Sequence, residues 1–138
     1  MPHGKHNTIL MADDDAEDCW LASEAFAESG VAAAFCCVMD GIELMDYLSE
    51  PSRSEAKELP SLILLDLNMP RKNGAQVMRE IRSKPAFQQI PIVVLTTSTE
   101  EDVPHAISQM ANGFITKPAT FEEWIAIMRS LAEQWLVR

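Results

Sequence analysis

The residues with the clearest chemistry in this sequence are acidic, and they occur in two places. Asp13, Asp14 and Asp15 follow an apolar run near the start, and Asp66 follows the apolar stretch LILL. Two carboxylates about 4 Å apart repel each other by about 4 kcal/mol at an effective dielectric constant near 20. A pocket that gathers several carboxylates therefore favours a cation, and hard oxygen ligands select Mg²⁺ or Mn²⁺. With that charge balanced, an anionic phosphoryl group can approach Asp66, whose carboxylate is a competent nucleophile for an aspartyl phosphate.

Hydroxyl and amino groups end two later apolar runs. Thr96, Thr97 and Ser98 follow IVVL, and Lys117 follows GFIT. The ammonium group of Lys117 would balance part of the acidic charge. Each of these polar residues also has a structural explanation, in which the aspartates and hydroxyls cap helices or loops and the lysine is solvated. Their coincidence at the ends of four runs favours a shared site.

The elements that would position these residues are five apolar runs, each followed by a helical pattern. LILL and IVVL are apolar without alternation, which is typical of strands covered by helices on both faces. Alternating strands and helices predict a parallel sheet with right-handed crossovers, whose strands have their carboxyl ends at one ligand-binding edge. The predicted strands are 7–12, 31–38, 61–65, 91–96 and 113–117, and the predicted helices are 15–29, 41–50, 74–83, 103–111 and 120–136.

Local signals refine this outline. Gly30 indicates the end of the first helix, and Pro104 indicates the start of the fourth because proline lacks an amide donor. The polar segment 51–60 has a proline at each end and is expected to be a surface loop within one domain. The last helix carries apolar residues at three-and-four spacing and must pack against the sheet. Trp135, near its end, is expected in the core, with a protein interface as the alternative.

Length and composition indicate an ordinary globular protein. The chain has 138 residues, of which 47% are hydrophobic and 23% are charged. This length suits one domain over residues 1–138. No apolar run approaches the ~20 residues that span a bilayer, and MPHGKHN lacks the apolar core of a signal peptide, so we expect a cytoplasmic protein with no membrane partner. The net charge of −10 repels a phosphate backbone, so nucleic acid is a poor partner.

The cysteines and histidines offer a second place to look for metal or redox chemistry. Cys19, Cys36 and Cys37 are an odd number, and buried free thiols are expected rather than a metal or redox site. His3 and His6 could bind a metal weakly, but a frayed terminus is the favoured interpretation.

Four segments, ILMADDD, LLDLNMPRKNG, PIVVLTTST and GFITKP, occur in the order and at the spacing of the receiver domain of bacterial two-component response regulators. The sequence resembles that family over nearly its whole length. The resemblance implies a flavodoxin-like (βα)5 fold, an α/β doubly wound five-stranded parallel sheet with strand order 2-1-3-4-5. It also implies a stand-alone response regulator without an effector domain, which acts through protein–protein contacts and is not an enzyme. LTTS, the segment 51–60 and the ending WLVR look most like the small regulators paired with bacterial phytochromes.

The resemblance assigns roles to individual residues. Asp66 would accept a phosphoryl group from a phosphohistidine on a sensor histidine kinase, of the phytochrome type if the narrower resemblance holds. Asp14 and Asp66 would bind Mg²⁺ directly, Asp13 through water, and Asn68 through its main-chain carbonyl. Lys117 would pair with a phosphoryl oxygen, and the peptide bond that follows it, to a proline, would be cis.

Other residues would transmit the signal. Thr96 would be the switch hydroxyl, and Phe114 the aromatic that changes rotamer with it, unless Phe114 is a plain core aromatic. Phe114 lacks a tyrosine hydroxyl, so such a switch would act by packing alone. Thr97 is bulkier than the small residue usual in the family and would restrict phosphoryl access, while Asn68 and Ser98 occupy positions that tune phosphate hydrolysis. A face made by the fourth helix, fifth strand and fifth helix is expected to form a homodimer.

Three alternatives remain. An aspartate-nucleophile phosphohydrolase also forms an aspartyl phosphate beside Mg²⁺, but it usually carries a second acid two residues later, where this chain has Asn68. A flavin-binding carrier of similar topology would have a phosphate loop rich in serine, threonine and glycine. The corresponding segment here, ADDDAED, is acidic, which is the wrong charge for binding a phosphate. A degenerate receiver would act as a phosphate-independent binding module, although the complete set of acidic, hydroxyl and lysine residues weighs against it.

Overall fold

The computed structural model describes residues 8–50, 59–67, 69, 71–97 and 104–136. Five parallel strands and five helices alternate along this part of the chain, close to the predicted boundaries. The strands are β1 (Thr8–Ala12), β2 (Ala34–Val38), β3 (Leu62–Asp66), β4 (Ile92–Thr96) and β5 (Gly113–Thr116), and the helices are α1 (Ala16–Glu28), α2 (Gly41–Ser49), α3 (Gly74–Ser83), α4 (His105–Met110) and α5 (Phe121–Trp135).

The strands form one sheet in the order β2-β1-β3-β4-β5, and every neighbouring pair is parallel. This confirms the doubly wound α/β fold and the strand order implied by the resemblance. The central strands β3 and β4 are buried along their whole length, because helices cover both faces of the sheet. Their apolar residues therefore show no alternation in sequence.

Successive side chains of each central strand enter two different cores. Ile63 and Leu65 of β3 pack with α2, α3 and α4, whereas Leu62 and Leu64 pack with α1 and α5. The fully buried Trp124 belongs to the second core, as the spacing of the last helix predicts. Both cores hold the sheet rigid, so that residues following its strands have defined positions.

The edge strand β2 departs from the sequence prediction in length and burial. It begins at Ala34 rather than at residue 31. Cys37 is exposed, so the expectation of three buried thiols is wrong for this residue. The reason is that β2 has a strand neighbour on one side only, which leaves its outer edge less covered. Cys19 is buried and Cys36 is half-buried, and all three cysteines are free thiols.

Capping residues set the helix boundaries nearest the site. Asp15 is the N-cap of α1 and accepts hydrogen bonds from the backbone N–H groups of Glu17 and Asp18, so the capping explanation applies to this aspartate. Gly30, with a φ of 78°, follows the end of α1 in the left-handed conformation that glycine adopts without strain. Pro104 directly precedes α4, as predicted.

Some expectations are corrected and others fall on residues that are not described. The described chain contains no cis peptide bond, so the expected cis bond between Lys117 and Pro118 is wrong; the trans form is the lower-energy state of most such bonds. Asn68 and Ser98 lie outside the described residues, as do both terminal histidines and most of the segment 51–60. None of the helices in the described ranges is long and apolar enough to cross a membrane.

Candidate functional site

Three carboxylates meet at the carboxyl edge of the sheet. Asp13 follows β1, Asp66 ends β3, and β1 and β3 are neighbouring strands. One carboxylate oxygen from each of Asp13, Asp14 and Asp66 lies within 4.8 Å of the others. Asp13 is fully buried and Asp66 is 6% exposed, whereas Asp14 is exposed. The fold thus brings together the acidic residues selected from the sequence.

The donor set of this acidic cluster fits a divalent cation. Asp13 Oδ1 accepts a hydrogen bond from the backbone N–H of Asp15 at 2.9 Å, which orients the carboxylate. Asp13 Oδ2 is buried and has no hydrogen-bond partner, although it forms an ion pair. A buried anionic oxygen with unused lone pairs is costly unless a cation compensates it. Because all the ligand atoms are hard oxygens, Mg²⁺ and Mn²⁺ are the cations that the cluster would hold.

Lys117 supplies the positive charge of the cluster. Its Nζ lies 2.8 Å from Asp13 Oδ2 and 3.9 Å from Asp66 Oδ2. The backbone N–H of Lys117 donates to the carbonyl of Thr96 at 2.8 Å, which anchors the residue just after β5. Burial by itself lowers the pKa of Lys117, but the close contacts with the Asp13 and Asp18 carboxylates and the nearby charge of Asp66 outweigh it and raise the pKa above its usual value. The lysine is therefore cationic throughout the neutral range.

The sequence interpretation missed Asp18, which contacts Lys117. Its Oδ2 accepts a hydrogen bond from Lys117 Nζ at 2.9 Å. Asp18 lies in the first turn of α1, the helix that begins at the acidic edge of the sheet. Its position in the sequence could have identified it, because the first turn of a helix that follows a strand lies beside the carboxyl end of that strand. The residue otherwise looks like an ordinary helix N-terminal acid, which is favoured there by the helix dipole.

Of the predicted switch and access residues, Thr96 and Thr97 lie at the carboxyl end of β4, whereas Ser98 is outside the described residues. Thr96 ends β4 and is 7% exposed, while Thr97 is exposed. Asp66 pairs in register with Leu95, the residue before Thr96, so the hydroxyl side chain lies one strand away from the carboxylate. Phe114 of β5 is half-buried and packs against the core that contains α4. The roles of Thr96, Thr97 and Phe114 in switching and phosphoryl access stay predictions.

The turn after Asp66 is held by close backbone packing. The N–H of Gly74 donates to the carbonyl of Leu67 at 3.1 Å. A Cβ at Gly74 would lie 2.8 Å from Leu67 Cα and 2.9 Å from the Asp66 carbonyl oxygen, which is closer than side chains tolerate. Asn73 and Gln76 form a capping box at the start of α3. A residue without a side chain is thus required where α3 begins against the end of β3.

An ion pair ties the same turn to α2. Arg71 has a φ of 64°, an uncommon conformation for a residue with a side chain. Its Nε donates to Asp40 Oδ2 at 2.9 Å, and Asp40 is also the N-cap of α2. The hydrogen bond from the backbone N–H of Glu43, followed by the contact with Arg71, lowers the pKa of the Asp40 carboxyl. Sequence reasoning did not identify this pair, because the residues are 31 positions apart.

A doubly wound sheet whose carboxyl edge carries three aspartates and a lysine is the arrangement expected of a receiver domain. The family model for the response regulator receiver domain matches residues 9–129, and the chain belongs to this family. Phosphorylation by a histidine kinase is the general role of receiver domains in two-component signalling.

Individual relatives support the same assignment. The response regulator Rcp1 of Synechocystis sp. is 33% identical over 129 residues, which cover 93% of this chain and 88% of that protein. The crystal structure of the phosphorylated cyanobacterial phytochrome response regulator RcpA has a TM-score of 0.80 and 39% identity, and covers 95% of this chain and 94% of that one. Response regulator RPA3017, from red light signaling of R. palustris, has a TM-score of 0.82 and 30% identity, with 96% of both chains covered.

A metal-containing relative bears on the acidic cluster. The crystal structure of the Mn²⁺-bound form of Rcp1 superposes with a TM-score of 0.74 at 31% identity, and covers 94% of each chain. That structure, together with the three converging carboxylates here, supports a divalent cation as the cofactor of this receiver domain.

Proposed function

We propose that Asp66 is the phosphoryl acceptor of this receiver domain and that a phosphohistidine on a sensor histidine kinase is the donor. The observation that carries the proposal is the position of Asp66, which is nearly buried at the sheet edge among two other aspartates and 3.9 Å from Lys117 Nζ. No other described carboxylate combines a position at the end of a central strand with such surroundings.

In the transfer, an Asp66 oxygen attacks phosphorus while the bond from phosphorus to the histidine nitrogen breaks and leaves its electron pair on the imidazole. A divalent cation bound by Asp13, Asp14 and Asp66 would supply positive charge to the transferring group and hold its oxygens. Lys117, whose Nζ lies 3.9 Å from Asp66 Oδ2, offers a further positive charge, and its raised pKa keeps it protonated. The burial of Asp66 limits the access of water to the acyl phosphate that forms.

Two finer parts of this proposal concern hydrolysis and switching. We infer that the domain catalyses only its own phosphorylation and dephosphorylation and turns over no other substrate. A switch role for the Thr96 hydroxyl is supported by its position at the end of β4, the strand next to β3. Phe114 has no hydroxyl and packs against the core beside α4, so a response of this residue would be a change in packing.

The decisive experiment is incubation of the protein with Mg²⁺ and acetyl phosphate, followed by intact-mass measurement. The expected product carries one phosphoryl group, and Asp66→Asn should carry none. Asp46→Asn, which removes an exposed carboxylate of α2, is the matched control and should be modified like the parent protein. A modification that persists in Asp66→Asn would refute the assignment. A parent protein that never reacts, with acetyl phosphate or a kinase, would instead support a degenerate receiver that acts by binding alone.

We propose a phytochrome-type histidine kinase as the donor. The support is the similarity to RcpA, which its crystal structure describes as a phytochrome response regulator, and to RPA3017 of red light signaling. The prediction is faster phosphotransfer from an autophosphorylated bacterial phytochrome kinase than from a histidine kinase of another sensory class at equal concentration. Equal rates from both kinases would remove the phytochrome pairing and leave the acceptor role intact.

We also propose that α4, β5 and α5 form a homodimer face. β5 is the last strand of the sheet, and a groove of about 220 Å³ lies between it and α5. Trp135 lines this groove and packs partly against the core, while its Nε1 is buried without a hydrogen-bond partner. Analytical ultracentrifugation should find a dimer, at least with the phosphoryl mimic beryllofluoride. A monomer under both conditions would contradict the proposal.

The proposal also covers the domain organisation of the protein, its location in the cell and its binding partners. A single receiver domain over residues 1–138 without an effector stays a prediction, as does output through protein contacts. The cytoplasmic location and the lack of a nucleic-acid partner also stay predictions, the latter supported by the net charge of −10.

A further inference from the structure

We propose that Asp18 is a positioning residue for phosphoryl transfer, which anchors the Lys117 ammonium so that one of its N–H groups faces Asp66. This inference rests on the proposed role of Asp66 as phosphoryl acceptor. It assigns a function to a carboxylate in the first turn of α1 that belongs neither to the acidic cluster nor to the cap of the helix.

The geometry divides the donors of Lys117 between its neighbours. An ammonium group has three N–H donors. Asp18 Oδ2 accepts a hydrogen bond from Lys117 Nζ at 2.9 Å, which takes up one donor, and Asp13 Oδ2 forms an ion pair with the same ammonium group at 2.8 Å. Asp66 Oδ2 is 3.9 Å from Lys117 Nζ. That distance exceeds a hydrogen bond, so the ammonium group keeps an N–H donor for an oxygen of an incoming phosphoryl group.

Asp18 differs from Asp13 because its carboxylate is not shared with the candidate cation site. Asp13 belongs to the three-carboxylate cluster, and its Oδ2 makes no aligned hydrogen bond to the lysine. The Lys117–Asp18 contact is an aligned hydrogen bond. A cation bound by the cluster would be coordinated by the Asp13 carboxylate. Asp18 would therefore be the residue that holds Lys117 both with and without a bound cation.

The local structure holds Asp18 rigidly enough for this task. The Asp15 side chain accepts a hydrogen bond from the Asp18 backbone N–H at 3.2 Å, which fixes the first turn of α1. The Lys117 side chain is 13% exposed and the Asp18 side chain is 23% exposed, so both ends of the pair are partly shielded from water. Restricting a lysine that otherwise has many rotamers reduces the entropy lost when it engages a phosphoryl oxygen.

Glu17 offers a matched control for simple charge effects. It lies next to Asp18 in the first turn of α1 and is exposed. Removing either acid makes the surroundings less negative, which by itself would speed the reaction of an anionic phosphodonor. An anchoring role for Asp18 predicts the opposite sign for Asp18→Ala alone.

The first test measures phosphorylation by acetyl phosphate in saturating Mg²⁺ for the parent protein, Asp18→Ala, Asp18→Asn and Glu17→Ala. We expect Asp18→Ala to lower the maximal rate by about tenfold, the effect of losing one charge-assisted hydrogen bond. Asp18→Asn keeps an oxygen acceptor and should recover part of the rate. Glu17→Ala should equal or exceed the parent rate. An Asp18→Ala rate equal to or above that of Glu17→Ala would overturn the inference.

A double-mutant cycle tests whether Asp18 acts through Lys117. In a Lys117→Ala background the further change Asp18→Ala should alter the rate by less than about twofold, because the group being positioned is absent. An additive loss, with Asp18→Ala costing the same factor in both backgrounds, would show that Asp18 acts by another route.

A spectroscopic test needs no phosphorylation. In ¹H–¹⁵N spectra of lysine ammonium groups, Lys117 should give a signal protected from water exchange in the parent protein and in Glu17→Ala. Asp18→Ala should shift or broaden that signal, and an unchanged signal would overturn the inference while leaving Asp66 as acceptor. Conversely, if the parent protein takes up no phosphoryl group, the proposed function fails and the ammonium signal still reports whether the anchor exists.

Discussion

Replacing Asp66 with asparagine is expected to stabilise the domain when no divalent cation is present. Asparagine keeps the size of the side chain and removes one charge from the acidic cluster. An oxygen of Asp66 lies within 4.8 Å of an oxygen of Asp13, which corresponds to a repulsion of about 3.5 kcal/mol at an effective dielectric constant of 20. The attraction to Lys117 across 3.9 Å is about 4 kcal/mol on the same scale and offsets this repulsion.

The repulsion from Asp14 brings the sum of the pairwise charge interactions of Asp66 close to zero. Asp14 is exposed, so water screens its repulsion with Asp66. At a dielectric constant near that of water, this repulsion is about 1 kcal/mol at the distances of the cluster. The sign is then decided by desolvation, because the Asp66 carboxylate is only 6% exposed and the neutral asparagine avoids the cost of burying a charge. We therefore expect Asp66→Asn to raise the free energy of unfolding by about 1 kcal/mol in EDTA at low ionic strength.

Mg²⁺ should reverse the order of the two proteins. A cation at a hundredfold excess over its dissociation constant stabilises the folded state by about 2.7 kcal/mol. The variant has lost one ligand and should gain less, so the parent protein becomes the more stable of the two. Urea denaturation followed by circular dichroism, with EDTA and then with a Mg²⁺ titration, measures both differences.

Asp15→Asn controls for the loss of an acidic charge near the site. The asparagine keeps an oxygen that can cap α1, and Asp15 is not part of the acidic cluster. Its response to Mg²⁺ should match that of the parent protein. If Asp66→Asn is less stable than the parent protein in EDTA, or if Mg²⁺ stabilises the two equally, the idea of a repulsive, cation-requiring cluster is wrong.

Three further predictions concern the scaffold of the site. Arg82→Lys should lower the free energy of unfolding by about 2 kcal/mol. The reason is that five hydrogen bonds from the guanidinium hold oxygens of the segments that precede β4 and β5. Urea denaturation measures the loss. Gly74→Ala should cost about 1–2 kcal/mol despite the better helix propensity of alanine, since the new Cβ would press on the backbone of Asp66 and Leu67; thermal melting measures it. The pKa of Asp40 is lowered by the backbone N–H of Glu43 first, so its stabilising effect is present above the unfolded pKa and lost as pH falls through the folded value. The stability difference between the parent protein and Asp40→Asn should therefore narrow as the pH falls below about 4, the unfolded pKa of an aspartate, as urea denaturation at several pH values will show.

Each of these predictions has a control in the same element or of the same type. Arg79→Lys changes an exposed arginine of α3 and should be nearly neutral, and an equal loss for both arginines would contradict the hydrogen-bond argument. Gly113→Ala places a Cβ at an ordinary 3.6 Å from Val93, and it should be better tolerated than Gly74→Ala. Asp46→Asn removes an exposed carboxylate of α2 and controls for charge at pH 7. A difference for Asp40→Asn that stays constant down to pH 3 would contradict the linkage.

Much of the fold and of the candidate site could be predicted from sequence because local signals coincide with chemistry. Apolar runs without alternation indicated strands buried on both faces, and Asp66 and Lys117 stand directly after such runs. In a parallel sheet the end of a strand is also its place at the ligand-binding edge. The order of the strands came from the family resemblance, because periodicity says nothing about which strands are neighbours.

The sequence by itself determined which residues end strands, where Gly30 closes a helix, and therefore which acids could share an edge. Only the tertiary structure decided that Lys117 pairs with Asp18, a residue 99 positions away, and that Cys37 is exposed on an edge strand. Such contacts depend on distances between elements that are far apart in the chain. Those distances follow from the packing of two cores around the sheet, which no local pattern of residue types encodes.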